Sequence, residues 1–135
     1  MPMQHVNWLA VVAAALSTFV VGGVWYSPAG FGRAWMTATG LTDAELQKTG
    51  KGRIIALAFL ISLAMSANLA MFLADPTTTV TWGATAGFLA GFGWIALGVA
   101  MIALFERRSW TYILINGGYM TVAFVLMGII LGAWR

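Results

Sequence analysis

Four long apolar runs divide the chain, and polar or turn-forming residues punctuate each of them. The first extends from Val6 to Trp25 and stops at Tyr26-Ser27-Pro28, where proline disfavours helical geometry in the residue before it. The second runs from Ile54 to Ala74 and ends at Asp75-Pro76; the third covers about Val80 to Leu104 and meets Glu106-Arg107-Arg108; the fourth covers about Trp110 to Trp134. At 1.5 Å per residue, runs of about twenty residues cover the roughly 30 Å hydrocarbon core of a bilayer. The pattern predicts an all-α integral membrane protein: a single membrane domain over residues 1–135, with transmembrane helices at about 6–25, 54–74, 80–104 and 110–134 in an antiparallel bundle.

The one long polar stretch, residues 26–53, has local structure of its own. Thr42-Asp43-Ala44-Glu45 fits a capping box, Lys48 suits a last helical turn, and Gly50 suits the position just past it. A short surface helix from about Asp43 to Thr49 is expected in this loop, between helices 1 and 2.

Charge orients the bundle. Of the seven basic residues, Arg33, Lys48, Lys51 and Arg53 fall between helices 1 and 2 and Arg107 and Arg108 between helices 3 and 4, while only Arg135 lies at the opposite end. Basic residues beside transmembrane ends stay on the cytoplasmic side, so both basic loops are expected inside and both termini outside, in the cell (inner) membrane. Trp8, Trp82 and Trp134 then fall at the outer boundary and Trp25 and Trp110 at the inner one, the level that indole rings prefer. Met1 to Trp8 lacks the basic segment of a cleaved signal peptide, so the first helix is expected to stay. With 61% hydrophobic and 8% charged residues the chain has too few charges for a soluble surface, which ordinarily carries about 25%. The net charge of +3 sits beside apolar segments and forms no groove-sized basic patch, so lipid headgroups are the expected partner and nucleic acid is not.

Small residues mark the packing faces. Gly83, Gly87 and Gly91 recur every four residues, with Gly98 seven further on, and Gly117, Thr121, Gly128 and Gly132 do much the same on helix 4. Missing side chains let backbones approach in lipid, so these two faces are expected to pack together, within one subunit or between subunits. Trp94 shares the helix 3 stripe, and Ser62 or Ser66 stand at similar depth as acceptors for its N–H. On helix 1, Asn7, Ala14, Thr18, Gly22 and Trp25 share a face. The polar residues inside the spans are few. Asn116 lies roughly 9 Å and Asn68 roughly 21 Å from the inner boundary, so they cannot pair in one subunit. Asn116 is level with Thr18 and Ser62, whereas Asn68 has no polar neighbour at its depth. Asn68, Asn116, Thr18, Ser62 and Ser66 are the candidates for a polar path or for interhelical hydrogen bonds. Below them Trp25, Tyr26, Ser27, Pro28, Phe31, Gly32 and Trp35 concentrate aromatic rings and a proline turn at the inner end, suited to an interfacial anchor or an inner vestibule with Arg33 as its positive charge.

Chemistry is narrowed by what is missing. The chain has no cysteine, and no metal-ligand cluster, carboxylate pair, nucleophile with a base or phosphate-cradling loop can be assembled, so no enzyme, metal or cofactor is expected. Apart from His5, at or outside the boundary, the membrane interior holds no ionisable group of the kind that proton- and cation-coupled carriers use. That sets the chain apart from the small multidrug resistance transporters, which depend on an embedded glutamate, and the charge bias sets it apart from dual-topology fluoride channels. The leading expectation is a homo-oligomeric channel or facilitator for a small solute or ion. The alternative is a structural or regulatory membrane protein that binds lipid or a partner through its aromatic and basic inner face.

Several stretches in order carry a family likeness: Val6-Asn7-Trp8-Leu9-Ala10, then Trp25-Tyr26-Ser27-Pro28 with Phe31-Gly32 and Trp35-Met36, then Gly40-Leu41-Thr42 followed by acidic residues, and late in the chain Asn116-Gly117-Gly118. Together they resemble the bacterial membrane family catalogued as domain of unknown function 1761, with Trp-Tyr-Ser-Pro the most specific part. The resemblance covers nearly the whole chain and implies a small multi-helix membrane protein, with no activity attached.

Overall fold

The computed structural model describes residues 6–48 and 51–135. Every regular element among the described residues is helical: α1 (Trp8–Trp25), α2 (Gly32–Thr39), α3 (Asp43–Lys48), α4 (Lys51–Phe72), α5 (Val80–Ala90), a π-helical turn (Gly91–Ala96), α6 (Leu97–Phe105) and α7 (Trp110–Ala133). The π-turn joins α5 to α6 without a break, so four spans of 18, 21, 26 and 24 residues are long and apolar enough to cross a membrane. Side chains close the exposed amides at their starts. Asn7 Oδ1 accepts from the Leu9 and Ala10 amides, Thr79 Oγ1 from Trp82 and Ser109 Oγ from Tyr112, which is why α1, α5 and α7 begin where they do.

Helix α7 is the centre of the bundle, with α5 and α1 packed antiparallel against it and α4 leaning mainly on α1. Glycine makes the α5–α7 contact possible. A Cβ at Gly83 would be driven into the Gly128 carbonyl and one at Gly87 into the Phe124 carbonyl, while one at Gly132 would lie 2.8 Å from the Thr79 carbonyl oxygen. The two glycine faces therefore pack on each other within one subunit.

The π-turn then changes the register. An i→i+5 turn adds a residue and rotates all that follows by about 100°, so the stripe expected to continue to Gly98 does not. A Cβ at Gly98 would meet nothing within 4 Å, and Ala96 and Ala103 face α7 instead, Ala96 against Gly117. Trp94 is likewise turned out of the glycine stripe and stands 80% exposed, away from Ser62 and Ser66. Ser66 donates to the Val11 carbonyl at 2.8 Å and Ser62 is paired with Thr18 at 3.2 Å, both between α4 and α1.

The connection between α1 and α4 holds two helices rather than one. Helix α3 and its cap match the expectation, with the Glu45 amide donating to Thr42 Oγ1, while His5, Thr49 and Gly50 lie outside the described residues. Helix α2 was not legible, because Gly-Arg-Ala-Trp-Met-Thr-Ala-Thr begins with glycine, has no capping side chain and carries two β-branched threonines. It is held by packing: the Trp35 ring meets the Tyr26 ring edge-on at 5.3 Å. Residues 26–48 and 106–109 lie at one end of the bundle, the basic end.

Candidate functional site

At the basic end the chain leaves α1 in a tight turn. The Phe31 amide donates to the Trp25 carbonyl at 2.7 Å, and the Gly30 and Gly32 amides to the Ser27 carbonyl at 2.9 and 3.0 Å. A Cβ at Gly32 would run into the Tyr26 carbonyl, so the Ser-Pro-Ala-Gly-Phe-Gly sequence is what allows α2 to fold back beneath α7. This turn fixes two side chains on α7. The Trp25 indole donates to the Ile115 carbonyl at 2.9 Å, and the Tyr26 hydroxyl donates to Asn116 Oδ1 at 2.6 Å. The three residues Asn116, Gly117 and Gly118 thus serve three neighbours, since Gly117 abuts Ala96 and Gly118 leaves room for the Trp25 ring. Asn116 had been expected at Thr18 or Ser62; those two bond each other, and Tyr119 reaches the Thr18 backbone, its hydroxyl donating to the carbonyl at 2.9 Å.

Around Asn116 these elements enclose a pocket of about 560 Å³. Tyr26, Trp35, Thr39 and Leu41 come from the α1–α3 connection, Ile95 and Val99 from the long span, and Arg108, Tyr112, Asn116, Tyr119 and Met120 from α7 and the turn before it. Trp35, Tyr26 and Tyr119 form a ladder of edge-on rings, each step 5.3 Å between centroids. Burial pushes the Tyr26 phenol well above its ordinary range, so it stays protonated and donates to Asn116. Among the described residues the one cation in the lining is Arg108, whose guanidinium stands 5.3 Å from the centre of the Tyr112 ring. Its only ion pair among the described residues is a loose, half-exposed one with Glu106 at 3.8 Å, a contact of little strength in water.

Arg108 owes its place to the preceding turn. Arg107 takes a left-handed conformation at φ 60°, with its amide bonded to Leu104 and the Arg108 amide to Ala103, a Schellman closure with arginine where glycine is usual. Arg33, expected as the charge of this region, is exposed on α2 and does not line the pocket.

A second, larger cavity of about 790 Å³ adjoins the first. It opens on the side of the bundle because α4 leans on α1 and stands off from the π-turn. Met65, Asn68, Leu69 and Phe72 form one wall, Ala86, Leu89, Ala90, Gly93, Trp94 and Ile95 the other, and Phe124 the floor. Asn68 is exposed here and makes no side-chain hydrogen bond among the described residues, as its depth led one to expect. Ile95 belongs to the lining of both cavities. Tyr112, Asn116, Met120 and Phe124 recur every four residues along α7, with Arg108 four residues before them in the preceding turn, and line one cavity after the other. That spacing is the sequence signal that points to Tyr112 and Arg108 as pocket residues.

No curated protein and no solved structure matches the chain. The model of one family, described as Protein of unknown function (DUF1761), matches residues 9–132, which include the Trp-Tyr-Ser-Pro turn, the Asn-Gly-Gly triplet and both cavities. With the match reaching from the first span through the fourth, the chain belongs to the DUF1761 family.

Proposed function

We propose that this membrane protein binds the headgroup of an anionic lipid in the pocket at its basic end. The observation that carries the reading is the polar lining: one guanidinium, three phenols, an amide and a threonine hydroxyl, with no carboxylate among the described residues that line it, at the level where the spans give way to loops. Arg108 brings positive charge, and the Tyr112 hydroxyl and the Asn116 amide nitrogen can donate to a phosphate. Tyr26, Tyr119 and Thr39 already donate to Asn116 Oδ1, the Thr18 carbonyl and the Trp35 carbonyl and shape the pocket with their side chains; the rings suit the interfacial zone. On the bias of the basic loops the pocket belongs to the cytoplasmic face of the cell membrane, with both termini opposite. The role is binding rather than catalysis. Against a pore through the subunit stands the engagement of its polar residues, since Thr18, Ser62, Ser66 and Asn116 each already bond another helix or the α1 turn. A second reading, a homo-oligomeric facilitator with a path between copies, is favoured by Asn68 alone, whose exposed amide has no hydrogen-bond partner among the described residues.

The test is lipid binding to the detergent-solubilised protein, followed by native mass spectrometry. Phosphatidylglycerol should bind tighter than phosphatidylcholine, and Arg108→Gln should remove about fivefold of that preference, the worth of one basic residue at a membrane surface. Equal affinities in the wild type, or an unchanged preference in the variant, would defeat the reading.

A further inference from the structure

The geometry points to a single acyl-chain groove running from the headgroup pocket over Ile95 into the cleft between α4 and the π-turn, so that one lipid molecule occupies both cavities. This rests on the headgroup reading and adds a claim about the chain. Three observations carry it. Ile95 lines both cavities, so they are neighbours along one wall. On α7 the row Tyr112, Asn116, Met120 and Phe124 winds about 40° round the helix per step and passes from the first cavity into the second, polar at Tyr112 and Asn116, with Arg108 in the turn before them, and apolar at Met120 and Phe124, which is the polarity of an amphiphile laid along it. The rise from Tyr112 to Phe124 is about 18 Å at 1.5 Å per residue, slightly more than the ~15 Å half-thickness of a bilayer core that an ordinary acyl chain fills.

The π-turn lies along the cleft wall. Gly93 shares the face of Ala86 and Ala90 and leaves that wall open, since a Cβ there would meet nothing within 4 Å, and the Trp94 ring stands outward. π-Turns of this kind are frequent at functional sites. The cleft's volume lies inside the roughly 300–1,000 Å³ range of small-molecule sites.

The experiment compares octanoyl with palmitoyl lysophosphatidylglycerol, which share a headgroup and differ only in chain length, on the wild type and two variants. Palmitoyl should bind the wild type more tightly. Gly93→Leu and Ala90→Leu, which fill the cleft from two positions on its wall that the headgroup pocket does not share, should each weaken palmitoyl binding about tenfold, equivalent to about two methylenes losing their contacts. Octanoyl binding, and its sensitivity to Arg108→Gln, should stay unchanged in both. Thermal melting in detergent identifies a variant that fails to fold, and the other then decides the matter. Equal affinity for the two chains in the wild type, or wild-type palmitoyl affinity in a folded Gly93→Leu protein, overturns the groove and leaves the headgroup reading standing. Failure of octanoyl to bind, or its indifference to Arg108→Gln, would instead bring down the headgroup reading and the groove with it.

Discussion

Tyr26 links the turn after α1 to Asn116 on α7 through one hydrogen bond of 2.6 Å, and its ring sits between those of Trp35 and Tyr119. Hydrogen bonds between membrane helices contribute about 0.6–2 kcal/mol, so Tyr26→Phe should lower stability in detergent by that order while keeping the ring packing. The pH dependence follows from the raised phenol. A folded protein that holds this proton more firmly than the unfolded chain has lost nothing below the ordinary phenol value of 10.0, and loses stability as pH rises above it. Melting curves should therefore show an alkaline decline that is shallower in Tyr26→Phe than in the wild type. An identical decline would show that the Tyr26 proton is not involved. Arg107 makes the opposite kind of contribution. Left-handed backbone at a non-glycine residue costs of order 1–3 kcal/mol, and here it accompanies the turn that brings Arg108 over Tyr112.

The long span shows how one inserted residue divides an element into two roles. Before the π-turn its glycines press on α7; after it, alanines do, and Gly98 is released. Gly91→Leu should be destabilising by roughly 1–3 kcal/mol, because its Cβ would already stand 2.7 Å from the Phe124 Cβ and 3.0 Å from the Met120 carbonyl oxygen. Gly98→Leu should be near neutral, there being nothing within 4 Å of its Cβ. Paired thermal melts decide this, and a comparable loss in both would mean that the glycine stripe continues unbroken. The seam lies within the subunit, so the Gly91 change is expected to act on folding stability directly.

Across the whole molecule the bundle is apolar at one end and polar at the other. The buried core gathers at the end away from the basic loops, where Ala10, Ala14, Leu73, Met127 and Leu131 meet, whereas the basic half is organised by the Trp25, Tyr26, Asn116 and Tyr119 hydrogen bonds. Arg135 closes the apolar end by donating to the Leu73 and Asp75 carbonyls that terminate α4. If the basic end is cytoplasmic, a cysteine at exposed Thr37 should be shielded from impermeant thiol reagents in intact cells and one at exposed Thr77 should react. Reversed labelling would invert the orientation and put the lipid pocket on the other face. The number and near-boundaries of the spans, the cap at Thr42, and the glycine pairing of α5 with α7 were determined by the sequence itself, since hydrophobic run length, a capping side chain and four-residue spacing are local properties. Long-range packing alone decided the rest. Helix α2 exists because Trp35 finds Tyr26, Asn116 takes a partner from a turn ninety residues away, and the π-turn, which has no local signature, rotates Gly98 and Trp94 off the seam and leaves Ile95 between two cavities.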